Sequence, residues 1–226
     1  MYIYEFIAGI ALGYCTASIA ESFLHRNVLH AGQRFRSLWK RYPTLLRPFA
    51  SAYFSHHVIH HRRTFRRDFV TQFSSAAEKA QLDKQLPSRL GDRVRAERYG
   101  LTANGIGILR FLLPISPIVA LYYWEFGPWV FLGVTIPMAL YPFMSMSIHP
   151  LLHKPTLIAT AEAPRFKAWL LRTRYVRMIA RNHYMHHTHV DCNYNLLLGG
   201  DYLLGVHKDP GAQDIANMKR IGISVD

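Results

Sequence analysis

Hydrophobic and polar positions divide this chain into long apolar runs separated by polar, basic stretches. The first run, Tyr2 to Leu24, has about the 20 residues that a bilayer core requires of a helix. Two more runs, 106–124 and 128–148, flank Gly127 and Pro128, a turn-forming pair that predicts a helical hairpin. Pro114, Pro117, Pro137 and Pro142 lie inside these runs. Membrane helices tolerate proline because neighbouring groups satisfy the freed carbonyls. Thr44–Phe54 is apolar but too short to span, and is expected to be an interfacial or re-entrant helix or a core helix of a cytoplasmic cap. Ala163–Ala180 interleaves Phe166, Trp169, Leu170, Val176 and Ile179 with arginines and reads as an amphipathic helix lying on the membrane or the cap, or as a core helix with a solvated basic face. The pattern predicts one all-α domain over residues 1–226, an integral membrane bundle of about three to four helices with a cytoplasmic helical cap.

Composition refines this picture. Half of the 226 residues are hydrophobic, yet the mean hydropathy is only +0.01, so a large part of the chain must be polar. The net charge is +13. Lys and Arg concentrate in segments 25–100 and 149–226, and the linker near Gly127 has none. The positive-inside rule therefore puts both basic segments in the cytoplasm and the N-terminus outside, as a multi-pass protein. The first run does not read as a signal peptide: no basic residues precede it, Glu5 lies near its start and no small-residue cleavage site closes it. Basic charge also suits nucleic acid, but no recognition motif accompanies it, and Arg62–Arg67 reads as a patch facing anionic lipid. Cys15 and Cys192, the two cysteines, form neither a CxxC nor a zinc-finger spacing, and no disulfide is expected between an apolar and a polar segment.

The thirteen histidines change the picture most. They gather as His25 and His30; His56, His57, His60 and His61; His149 and His153; and His183, His186 and His187. Residues three and four apart share a helix face, so His57, His60 and His61 would point one way, as would His149 with His153 and His183 with His186 and His187. His25 and His30 are five apart and fit a helix end, where the chain bends round an ion. The predicted topology puts all four clusters on the cytoplasmic membrane face. Neutral imidazole binds iron, zinc, copper and nickel. Ten clustered histidines, counting one of His56 and His57, exceed one tetrahedral zinc site and predict a dimetal site with a nearly all-nitrogen shell. His207 reads as an ordinary surface or core histidine, and His189 stays open between a role near the metal and none.

These motifs resemble those of the membrane fatty acid hydroxylase / sterol desaturase superfamily, marked by H-x(3–4)-H, H-x(2–3)-HH, H-x3-H and a last H-x(2–3)-HH. His25/His30, His57/His60/His61, His149/His153 and His183/His186/His187 match in order and spacing. Both His56 and His57 satisfy the second motif; His57 is preferred because it repeats the fourth cluster's spacing. The stretch from Asn193 to Gly205 is similar to the segment that follows the last motif there, with Gly200 in place of the usual Trp before Asp201 and Asn195 where Gly is common. The resemblance covers Glu21 to Gly205. It implies a non-haem di-iron oxygenase: two Fe2+ ions, replaceable by zinc on purification, with those histidines as ligands and a lipid as substrate. Glu21, one helical turn before His25, would orient its imidazole, unless it pairs with an interfacial Arg; Asp191, Asn195 and Asp201 are further candidates for that supporting role.

The chain has no haem-binding H-P-G-G, no Gly-rich dinucleotide fingerprint and no iron–sulfur cysteines. Such an enzyme would need an external electron donor, cytochrome b5-like or ferredoxin-type, and the basic surface would suit an acidic carrier. Hydroxylation of a fatty acyl chain, a sterol or a related lipid is the leading expectation. Desaturation or bond cleavage fits the same motifs. A zinc-loaded membrane protein without redox activity, and a basic membrane-surface adaptor, are the alternatives of other classes.

Overall fold

A computed structural model describes residues 2–86, 88–102 and 105–225. Among them every regular element is helical. In chain order these are α1 (Tyr2–Leu24), π1 (His25–Leu29), α2 (Gln33–Arg41), α3 (Arg47–Tyr53), π2 (Phe54–His61), α4 (Ala76–Gln85), α5 (Ser88–Ala96), α6 (Gly105–Phe143), π3 (Met144–Ile148), α7 (His149–Leu152), α8 (Thr156–Glu162), α9 (Arg165–Arg172), α10 (Arg174–Thr188), α11 (Gly200–Leu203) and α12 (Ala212–Arg220). The three π segments, in which N–H groups bond five residues back, all border histidine clusters.

Two helical stretches, Tyr2–Leu29 and Phe111–Leu152, are long and apolar enough to cross a membrane. The second folds back on itself. A straight 39-residue helix would be about 58 Å long, twice a bilayer core, but Gly127 interrupts α6 at φ 82° and ψ −176°. Its two arms then pack together, with the Phe111 and Tyr141 rings stacked at 3.9 Å. The break at Gly127 is therefore the hairpin the sequence predicts. Against this hairpin lies α1, whose small residues Gly9, Gly13 and Ala17 are buried. A Cβ on Gly13 would lie 2.7 Å from the Val134 backbone. Small residues let membrane helices approach this closely, and van der Waals contact then holds them together. Thr16 and Tyr122 share a hydrogen bond of 2.8 Å across the same contact.

The outer faces of these helices expose Ile7, Leu12, Leu113, Leu121, Leu132 and Ile136. Tyr2, Tyr4, Trp124, Phe126 and Trp129 are exposed near the start of α1 and around the Gly127 turn.

The elements after the hairpin share its main core, where Leu152, Ala159, Leu171, Val176, Ile179 and Leu197 pack with Ala17, Phe111 and Val134; two smaller cores lie beside it, Ile59, Leu82, Val94 and Tyr99 in one and Phe69, Tyr184, Met185, Met218 and Ile223 in the other. Thr44–Phe54 is a turn followed by α3, which has no fully buried residue. Ala163–Ala180 is two helices rather than one. Thr173 ends α9 and caps α10, its hydroxyl accepting the Val176 N–H at 3.3 Å. The short α9 leaves Phe166 and Trp169 exposed, while α10 buries Val176 and Ile179.

Candidate metal centre

The local winding of the chain decides which histidines meet. In an α-helix, residues five apart diverge by about 140°. In π1 and π2 the wider turn brings them onto one face: the His30 N–H bonds the His25 carbonyl at 2.9 Å, and His56 and His61 are aligned in the same way, their Nε2 atoms 3.2 Å apart. His25 and His30 thus converge at the end of the first helix, as their spacing suggests, and a π turn there is what brings them together. The same winding corrects the preference for His57. It is His56 that enters the converging set, while His57 stands behind His30, Nδ1 to Nδ1 at 2.8 Å, and stacks on Tyr53. α10 keeps regular winding and presents His183, His186 and His187 together.

The result is two groups of five. His25, His30, His56, His61 and His186 form one; His60, His149, His153, His183 and His187 form the other. Within each group the ligand nitrogens all lie within 4.8 Å of one another. The His61 and His187 rings, stacked at 4.0 Å, join the groups. Each group draws on separate parts of the chain, so neither can assemble before the fold does.

Close contacts within the groups run from 2.8 Å (His25–His56) and 3.0 Å (His30–His186) to 2.9 Å (His149–His183 and His153–His183) and 3.1 Å (His60–His187). With metal–nitrogen bonds of about 2.0–2.1 Å, imidazoles at right angles about an ion would be about 3.0 Å apart, and tetrahedral ones about 3.4 Å. The spacing and the five donors therefore fit an ion of coordination number above four better than a closed tetrahedral zinc site.

The proton inventory points the same way. Nδ1 of His149, His153 and His186 faces the carbonyls of Leu101, Phe69 and Cys192 at 2.7, 2.9 and 2.8 Å. A carbonyl only accepts, so each Nδ1 must donate, leaving an Nε2 lone pair turned inward. His183 Nε2 meets two such lone pairs and has at most one proton to share between them. A cation resolves this conflict. Burial, reinforced by neighbouring histidines, pushes His30, His56, His60, His61, His153, His183 and His187 below the usual imidazole range, and His186 down to about 4. Burial thus favours neutral imidazole, the form that binds metal.

The acids predicted to orient the ligands act elsewhere. Glu21 does not bond to His25. It accepts from Asn195 Nδ2 and from the Leu196 and Leu197 N–H groups at 3.2, 2.7 and 2.9 Å. Asp201 accepts from Ser22 Oγ and the Asn195 N–H at 2.6 and 2.8 Å, and Asn195 also bonds the Ser18 carbonyl. Together they strap the 193–201 loop to α1, which sets the Cys192 carbonyl beside His186 and the Tyr194 ring against His25 and His186. Asp191 is exposed at the rim of an open cleft. His189 faces Asp214 and His207 stacks on Tyr202, both outside the two groups. Sequence reasoning missed the orienting carbonyls and the rings of Phe65 and Phe69, stacked or tilted on His153. No side-chain pattern encodes a carbonyl. It also missed the turn at Arg98, Tyr99 and Gly100, all at positive φ. A Cβ on Gly100 would lie 2.5 Å from the Ser55 carbonyl and 2.8 Å from His60 Cβ, so only glycine brings Leu101 up to His149.

A cavity opens onto both groups at once. His25, His56, His149 and His183 face it. Leu24, Val28, Leu29, Phe49, Ala52 and Phe111 supply much of its apolar wall. A separate open cleft, lined by Arg26, Arg34 and Asp191, reaches His30 and His57. Comparison with protein-family models, curated proteins and solved structures finds no match to this chain.

His56→Ala is expected to reduce bound metal from about two ions per chain to about one, with His57→Ala keeping about two; elemental analysis of the purified variants checks this, and equal losses would contradict the grouping. The metal-free protein should also be acid-sensitive. Its buried imidazoles have folded pKa values below the roughly 6.5 of the unfolded chain, so the unfolded state takes up protons first. Stability should be full above about pH 6.5 and fall as the pH drops toward His186's folded value of about 4. Thermal melting of metal-free protein from pH 7 to pH 5 reads the effect, and a flat midpoint would contradict it.

Proposed function

We propose that this protein is a membrane-bound di-iron oxygenase that hydroxylates a C–H bond of a lipid, taking electrons from an external donor. The observation that carries the reading is one apolar cavity onto which both histidine groups open, each contributing two imidazoles. Apolar walls beside a dimetal candidate site suit a hydrocarbon chain rather than a polar metabolite. The order and spacing of the histidine motifs, similar to those of the fatty acid hydroxylase / sterol desaturase superfamily, support the same chemistry.

Three features support a membrane setting. The two long helices leave most of their apolar surface uncovered, whereas a soluble protein would bury it. Tyr and Trp gather at the end of the bundle with the Gly127 turn, as at a membrane–water interface. The Lys and Arg residues, all but Arg110, lie in segments 25–100 and 149–226, on the other side of the runs. In this reading α1 and the two arms of α6 are three spans, the N-terminus is outside, and the histidine body is a cytoplasmic cap.

Iron, when bound, would supply O2 activation and oxidation of the C–H bond; one oxygen atom enters the lipid and the other leaves as water, with two electrons and two protons consumed. The chain's own residues have simpler tasks. Ten imidazoles bind, the carbonyls of Leu101, Phe69 and Cys192 hold three of them in register, and Tyr194, Phe65 and Phe69 keep water from the rings. The cavity wall lays the chain beside His25, His56, His149 and His183. Arg26 and Arg34, at the cleft that reaches His30, offer a basic face to an acidic electron carrier.

Iron-loaded protein in nanodiscs, given a chemical reductant, labelled O2 and a membrane lipid extract, is expected to yield lipids carrying one labelled oxygen, with His186→Ala yielding none. Lipid mass spectrometry reads the product. Stoichiometric iron with no labelled lipid and no reductant-dependent O2 uptake would sink the reading.

A further inference from the structure

The cavity wall is not apolar throughout. Ser55, Arg93 and Glu97 form part of it. Arg93 Nε donates to Glu97 Oε1 at 2.8 Å, and Ser55 Oγ donates to Glu97 Oε2 at 2.7 Å. Glu97 is 5% exposed, so the carboxylate is withdrawn from water and held by two partners. Ser55 directly precedes His56, one of the imidazoles facing the same space. A charged, hydrogen-bonded trio thus sits next to the candidate metal centre, in a chamber whose other walls suit hydrocarbon. The metal centre itself does not call for it: among the described residues the nitrogens of His149, His153 and His186 are oriented by carbonyls and not by this pair.

Resting on the oxygenase reading and deepening it, we propose that Ser55, Arg93 and Glu97 are the head-group subsite of the lipid cavity, and that it selects an uncharged head group that both donates and accepts a hydrogen bond, a hydroxyl above all. Charge balance carries the argument. Arg93 and Glu97 cancel, so the polar end of the lining carries no net charge. A carboxylate or phosphate head group would face the Glu97 carboxylate with the one guanidinium already engaged. A hydroxyl meets no such conflict. Each Glu97 oxygen has a second lone pair to accept its proton, and the Arg93 guanidinium has further N–H groups to donate to its oxygen. Hydrogen bonds to charged groups in a buried site are stronger than those between neutral partners, so this contact outweighs the desolvation of a single hydroxyl.

Equilibrium binding of hexadecanol and hexadecanoate to metal-loaded protein in nanodiscs, without reductant, tests the subsite. Wild-type protein is expected to bind the alcohol at least about tenfold more tightly than the carboxylate. Glu97→Gln frees the Arg93 charge and should move the ratio toward the carboxylate; Arg93→Gln leaves Glu97 uncompensated and should move it further toward the alcohol. Opposite displacements by the two variants, with metal content unchanged, are not expected of a merely structural ion pair. Wild-type protein that binds the carboxylate as tightly as the alcohol overturns the proposal whatever the variants do, as does an unchanged ratio in either variant that keeps its metal. Binding needs no turnover, so failure of the oxygenase reading would show separately, as the absence of oxygenated product.

Discussion

Imidazole nitrogens with committed lone pairs repel one another when buried together, and this protein gathers ten of them into two sets of five. Three are locked by backbone carbonyls with their lone pairs inward. Protonation cannot relieve the crowding, because burial opposes charge on the rings outside the apolar spans. An unsatisfied buried polar group costs about 1–3 kcal/mol, so several at one place would be a heavy penalty on the fold. A divalent cation in each set would turn the same lone pairs into bonds. The rest of the architecture follows from the need to hold ten rings in that arrangement.

Three devices meet that need. The π turns at His25–Leu29 and Phe54–His61 convert a five-residue spacing into a shared face. The left-handed turn through Gly100 brings the Leu101 carbonyl to His149. The Glu21, Asn195 and Asp201 strap carries the tail loop back onto α1, so that the first cluster and the last are joined beneath Tyr194. Burying a carboxylate in an apolar helix is expensive unless it is hydrogen-bonded, and Glu21 meets that condition with three N–H partners.

Much of this was legible in the chain. Apolar runs locate the long helices and the Gly127 break, and histidine spacing identifies nine of the ten converging rings. The tenth, His56, is the open alternative of the second motif, and the preference for His57 came from its repeating the fourth cluster's spacing, which winds regularly in α10 but not in π2. A π turn has no sequence signature comparable to a cap or a glycine, so the register slip was hidden. The role of Glu21 was hidden for another reason: its partners are two backbone N–H groups and the Asn195 amide some 175 residues away, and only the folded chain brings them together. Thr173 could have been read as a helix cap, and would have divided Ala163–Ala180 correctly.

X-ray absorption at the metal edge of the iron-loaded protein tests the central claim most directly. The account predicts a first shell of about five nitrogens per iron at about 2.0–2.2 Å, with the outer-shell pattern of imidazole rings and no sulfur. A shell dominated by carboxylate oxygen, a sulfur from Cys192, or no more than two imidazoles per iron would contradict it.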